Sequence, residues 1–151
     1  MEFGPGHIGQ LVCILVLVFL SAFFSSSETA LTTVNKIRMK NLAENGDKRA
    51  AKVLKVTSHS GKMLSAILIG NNIVNIGASS IATILAIDIF GDIGSGIATG
   101  LLTIIVLIFG EVSPKTMATI KADSFALAIA GIIDVLMFIL TPVIFIINKL
   151  A

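Results

Sequence analysis

Four long apolar stretches divide the chain, at about 8–31, 63–87, 93–112 and 124–147. Each approaches or exceeds the ~20 residues that a helix needs to cross ~30 Å of hydrocarbon. Between the first two the pattern changes: 33–57 alternates charged and apolar positions at helical spacing. There Asn45-Gly46 is a helix stop and Asp47 a cap for the helix that follows. In that second helix Ala50, Val53 and Leu54 share one face, and Lys48, Lys52 and Lys55 another. Such a basic amphipathic surface belongs on anionic headgroups, and we assign it no nucleic-acid role.

The fourth run departs from a simple crossing. Lys121 precedes it and Lys149 follows it, Asp134 lies inside it, and Thr141-Pro142 interrupts its helical pattern. It reads as a re-entrant or belt-like helical hairpin over 122–148. The expected architecture is therefore an all-α membrane protein. It has three transmembrane helices (about 8–31, 63–87 and 93–120), amphipathic helices over 33–57, and the belt hairpin. The first run has no basic residue before it and too long an apolar core for a signal peptide, so it is read as a retained span.

Charge placement orients this arrangement. Residues 36–62 hold eight of the eleven Lys and Arg residues, whereas 1–7 and 88–92 carry Glu2, Asp88 and Asp92 and no Lys or Arg. The positive-inside rule places 36–62 in the cytoplasm, the N-terminus outside and the C-terminus inside, in a plasma or inner membrane. With 55% hydrophobic and 13% charged residues and a mean hydropathy of +0.98, the chain is far from an ordinary soluble domain. One cysteine, Cys13, rules out an internal disulfide or a thiolate metal cluster.

Polar side chains inside spans are costly and face the bundle interior or a water-filled path. In "SAFFSSSE", Ser21 and Ser25 stand one helical turn apart, as do Asn71 and Asn75 in "GNNIVN". In "FGEVSPK", Glu111 follows Gly110, and Pro114 lacks an N–H while its ring clashes with the carbonyl four residues back, that of Gly110. A broken third helix with a freed Gly110 carbonyl is expected, with the Gly110–Pro114 segment as a gate. Freed backbone at this depth is tolerated only where protein buries it or a cavity receives it. All these donors are oxygens, which suits a hard cation (Mg²⁺, Ca²⁺ or Na⁺) and not Zn²⁺, Cu⁺ or Fe. Ser26, Ser27 and Ser65 read as packing hydroxyls, and His7 and His59 as surface residues.

At these residues the chain resembles a known family. "FFSSSETAL", "GNNIVN" and "FGEVSPK", in this order around a basic amphipathic stretch, are similar to the transmembrane domain of the CNNM/CorC magnesium transporters, over essentially the whole chain. The resemblance implies a homodimer in the lipid bilayer that holds a largely dehydrated Mg²⁺ near mid-membrane. Its ligands would be Ser21, Ser25, Asn71 or Asn75, the Gly110 carbonyl and Glu111. It also implies Mg²⁺ export by alternating access, coupled to Na⁺ entry. Family members continue into cytoplasmic CBS modules that bind ATP; these are absent here, so the chain reads as the isolated membrane domain.

Two other classes compete. A membrane Mg²⁺ sensor or scaffold would present the same ligands without moving the ion. An intramembrane serine protease would need a base beside its serine, and neither histidine lies in a span. No enzymatic role is expected.

Overall fold

The computed structural model describes residues 4–150; Glu2, part of the charge asymmetry above, lies outside the described residues. Every element among them is helical: α1 (Pro5–Thr33), α2 (Lys36–Glu44), α3 (Lys48–Ser58), α4 (Ser60–Phe90), a 3₁₀ turn (Gly91–Ile93), α5 (Gly94–Ile105), a π-helical segment (Val106–Val112), α6 (Ser113–Ile120), α7 (Ala122–Ile139) and α8 (Thr141–Leu150).

Three helical runs are long and apolar enough to cross a membrane: 5–33, the continuous run 60–120, and 122–139. The middle run folds back on itself at Gly91, whose φ of +78° is open to glycine at no steric cost. Gly94 then sits directly against the Ala86 carbonyl, so α5 returns alongside α4. The result is three long arms, α1, α4 and α5–π–α6, packed on one another. Their outward positions, such as Phe19, Leu68, Ile76 and Ile104, are exposed and apolar, while Ser21, Ser25 and Ser27 are buried. Lipid favours apolar residues on the outer surface, although Asn72, Ser79, Thr99 and Thr103 on α4 and α5 are also exposed.

The polar connector between α1 and α4 folds as its caps direct. Asp47 accepts hydrogen bonds from the Arg49 and Ala50 N–H groups, at 2.9 and 3.3 Å, and starts α3. Asn35 likewise accepts from Arg38 N–H at 3.1 Å and starts α2. Gly46, with φ +94°, makes the turn between them. Along α3, Ala50, Val53 and Val56 are fully buried against the bundle, together with Met39 of α2 and Met63 and Ile67 of α4.

Helix α7 closes this same end. Near its start, Asp123 accepts from the Asn35 N–H (3.0 Å) and from Arg38 (3.2 Å), just past the end of α1. Further along, Asp134 accepts from Lys52 (3.1 Å) and Lys55 (3.3 Å) of α3. Both anchors belong to the basic end of the bundle, so α7 runs across that end instead of to the opposite one. Its Ile133 and Ala130 are buried inward, and Ile132, Val135 and Phe138 face outward. The chain turns at Leu140, and Pro142 enters α8 within its first turn, where its missing N–H costs nothing.

Pro114 behaves otherwise than its sequence context leads one to expect: the third arm is continuous. Over Val106–Val112 the helix widens to π geometry, and the Ser113 N–H bonds to the Ile108 carbonyl, five residues back. Widening relieves the clash between the proline ring and the preceding turn without severing the helix.

Asp47→Ala is expected to destabilise the protein by about 1 kcal/mol, while Asp47→Asn stays near wild type. Thermal unfolding in detergent, followed by circular dichroism, checks this as a fall of a few degrees for the alanine variant only.

Candidate functional site

The π segment carries Gly110 into contact with α1. A Cβ at Gly110 would lie 3.1 Å from Ser21 Oγ and 3.4 Å from Val106 Cγ1, so any larger residue there would need Ser21 to give by a few tenths of an ångström. Ser21 Oγ in turn donates to Asn71 Oδ1 of α4 at 3.2 Å. The register between α1 and α4 that brings these two together is set one turn along, where the Phe24 ring occupies the space a Cβ at Gly70 would need. All three arms thus meet at Ser21, Asn71 and Gly110. Ser21 is completely buried, Gly110 is buried and Asn71 half-buried.

One turn from Ser21, Ser25 is also buried, and its hydroxyl has no hydrogen-bond partner among the described residues. Its neighbours do not share this condition. Ser26 Oγ donates to the Ala22 carbonyl at 2.8 Å and Ser27 Oγ to the Phe23 carbonyl at 2.6 Å, the back-bonding of packing hydroxyls. A buried polar group left unsatisfied costs about 1–3 kcal/mol. Ser25 Oγ is therefore the atom in this cluster with most to gain from a ligand.

Asn75 and Glu111 lie to one side of the three-arm contact. They line a cavity of ≈ 270 Å³ between α4, α5 and the π segment, together with Ser79, Thr99 and Thr103. Glu111 is half-buried and makes no salt bridge or hydrogen bond among the described residues. Thr99 and Thr103 donate their protons to the Ser95 and Thr99 carbonyls, at 2.8 and 2.6 Å, so their oxygens offer lone pairs only. The cavity lining is thus rich in acceptors around one carboxylate. These threonines and Ser79 escaped the sequence reading, although Asn71, Asn75 and Ser79 extend one polar stripe at four-residue intervals. Among the described residues no group of three or more His, Cys, Asp and Glu side chains could hold a metal. Pro114 follows directly on the π segment, and the π geometry seats Gly110.

The family profile described as "Cyclin M transmembrane N-terminal domain" matches residues 12–151. A UPF0053 protein of Haemophilus influenzae is 42% identical over 137 residues, 91% of this chain and 33% of that protein. The UPF0053 inner membrane protein YfjD of Escherichia coli is 38% identical over 131 residues, covering 87% of this chain and 31% of its own length. A polyamine export protein of Haemophilus influenzae is 28% identical over 155 residues, covering 93% and 36%. The chain thus spans about a third of the length of these relatives.

Two substitutions separate packing from ligation. Gly110→Ala should displace Ser21 Oγ by a few tenths of an ångström, a crowding offset by alanine's helix preference of about 1 kcal/mol, so stability should move by no more than about 1 kcal/mol. Ser25→Ala, which removes an unpartnered hydroxyl, should leave stability unchanged or raise it by about 1 kcal/mol in cation-free buffer. Thermal melts of both variants with and without Mg²⁺ check this, and Ser25→Ala should lose part of any Mg²⁺-dependent rise.

Proposed function

We propose that this chain, which belongs to the cyclin M transmembrane-domain family and is a multi-pass membrane protein, is the ion-translocating core of a Mg²⁺ transporter. The observation that carries the proposal is the meeting of Ser21, Asn71 and Gly110 from three separate membrane arms, with the unpartnered Ser25 hydroxyl one turn away.

The chemistry follows from the donors. Mg²⁺ accepts oxygen ligands at about 2.0–2.1 Å and gives up water reluctantly, so a dehydrating site must offer several oxygens held close together. Hydroxyl and amide oxygens replace water dipole for dipole, and Glu111 supplies the negative charge that makes dehydration worthwhile. With Glu111 facing the neighbouring cavity, the ion's route runs from the acceptor-lined cavity, past Asn75 and Glu111, to the buried serines. In this reading the π segment is the conformational element, because it alone joins Glu111 to the three-arm contact. The protein acts as a homodimer, with residues 36–62 cytoplasmic, and a Na⁺ gradient drives Mg²⁺ out by alternating access.

The cavity favours one second reading. A single carboxylate among acceptor oxygens also suits the ammonium end of a polyamine, and one relative carries the name polyamine export protein. A third reading keeps the Mg²⁺ site and removes the flux, leaving a sensor or scaffold.

Flux into liposomes containing the purified protein distinguishes all three. With an entrapped Mg²⁺-sensitive dye, wild type should carry Mg²⁺ in a Na⁺-gradient-dependent way. Loss of a partner group around a metal costs about 10–100-fold in affinity or activity, so Glu111→Gln, which removes the site's charged ligand, should cost at least as much. Radiolabelled spermidine moving in place of Mg²⁺ would establish the second reading. Glu111-dependent Mg²⁺ binding without flux of either solute would establish the third.

A further inference from the structure

The basic end of the bundle holds a second cavity, away from the proposed ion path. It has a volume of ≈ 420 Å³ and lies between α3, the start of α4 and α7. Lys55, His59, Lys62 and Asp134 form one part of its wall. Val135, Met137 and Phe138 form the other, and of these Val135 and Phe138 are largely exposed on the outward face of α7. Polar and apolar walls therefore stand side by side, the apolar one continuing onto the lipid-facing surface.

Its charges do not cancel. Lys52 and Lys55 converge on the single carboxylate of Asp134, so their pairing leaves one positive charge over, and Lys62 adds another. His59 joins the end of α3 to the start of α4 and makes no side-chain cap bond to α4. The Nδ1 atom of His59 is held by Ser58 Oγ and the Lys55 carbonyl, at 3.0 and 3.2 Å, which fixes the ring beside the lysines.

We infer that this cavity binds the headgroup of an anionic phospholipid, with Lys55, Lys62 and His59 at the phosphate and the acyl chains along Val135 and Phe138. The occupant is a lipid and not a free anion because cationic and apolar walls are contiguous, in the order in which a phospholipid presents phosphate and chain. Lysines close to a membrane surface attract anionic headgroups in general; a built cavity makes the contact stoichiometric. A bound lipid would add α4 to the pair, α3 and α7, that Asp134 already ties together.

Native mass spectrometry of the protein in neutral detergent tests the site without a charged membrane surface. Added dioleoylphosphatidylglycerol should be retained one per chain, in preference to dioleoylphosphatidylcholine. Lys62→Gln should weaken retention about fivefold. The double variant Lys36→Gln/Lys40→Gln removes basic residues from α2, outside the cavity, and should leave retention unchanged; thermal melts establish that both variants fold. sn-Glycerol 3-phosphate, which has the phosphate and no chains, should not compete at equal concentration. Equal retention of both lipids, equal loss in the α2 double variant, or full competition by glycerol phosphate would each overturn the proposal.

Discussion

The contact between Gly110 and Ser21 is the constraint on which the membrane part of this fold depends. A helix bearing a carboxylate and a proline can be held inside a bundle where its polar atoms meet other polar atoms or a cavity. Gly110 allows the third arm to come within reach of the first, and the π segment turns it to the right depth. Phe24 against Gly70 sets the second arm in register, so that Asn71 receives the Ser21 hydrogen bond.

The basic end is organised on a different principle. There a conventional apolar core of Leu31, Met39, Val53, Met63 and Ile133 is fully or almost fully buried, and the ion pairs lie at its margin. Pairs as exposed as Arg38–Asp123 contribute about 0–1 kcal/mol each. They fix where α7 lies more than they hold it there. Packing holds this end together, whereas polar complementarity organises the middle.

Local features of both regions were legible from the residues alone. Asp47 as a cap, Gly46 as a stop, and the break at Thr141-Pro142 depend on neighbours within a few positions. The three polar clusters were also visible, because apolar stretches make any hydroxyl or carboxylate conspicuous. What sequence could not resolve was tertiary. Asn71 and Asn75 have the same chemistry and face, and only the Phe24–Gly70 packing shows that Asn71 meets Ser21 while Asn75 borders the cavity. Pro114 announced a disturbance, but a severed helix and a widened one both relieve its ring. The structure takes the widened form, with Gly110 against Ser21. The partners of Asp134 lie about eighty residues earlier in the chain, beyond any local rule.

The two carboxylates of α7 have a geometric consequence. Asp123 and Asp134 are eleven residues apart on an unbroken helix, a rise of roughly 16 Å at about 1.5 Å per residue. One is pinned at the corner between α1 and α2, the other on α3. Helix α7 therefore serves as a measuring rod. It sets the separation between the end of the first membrane arm and the helix that leads into the second.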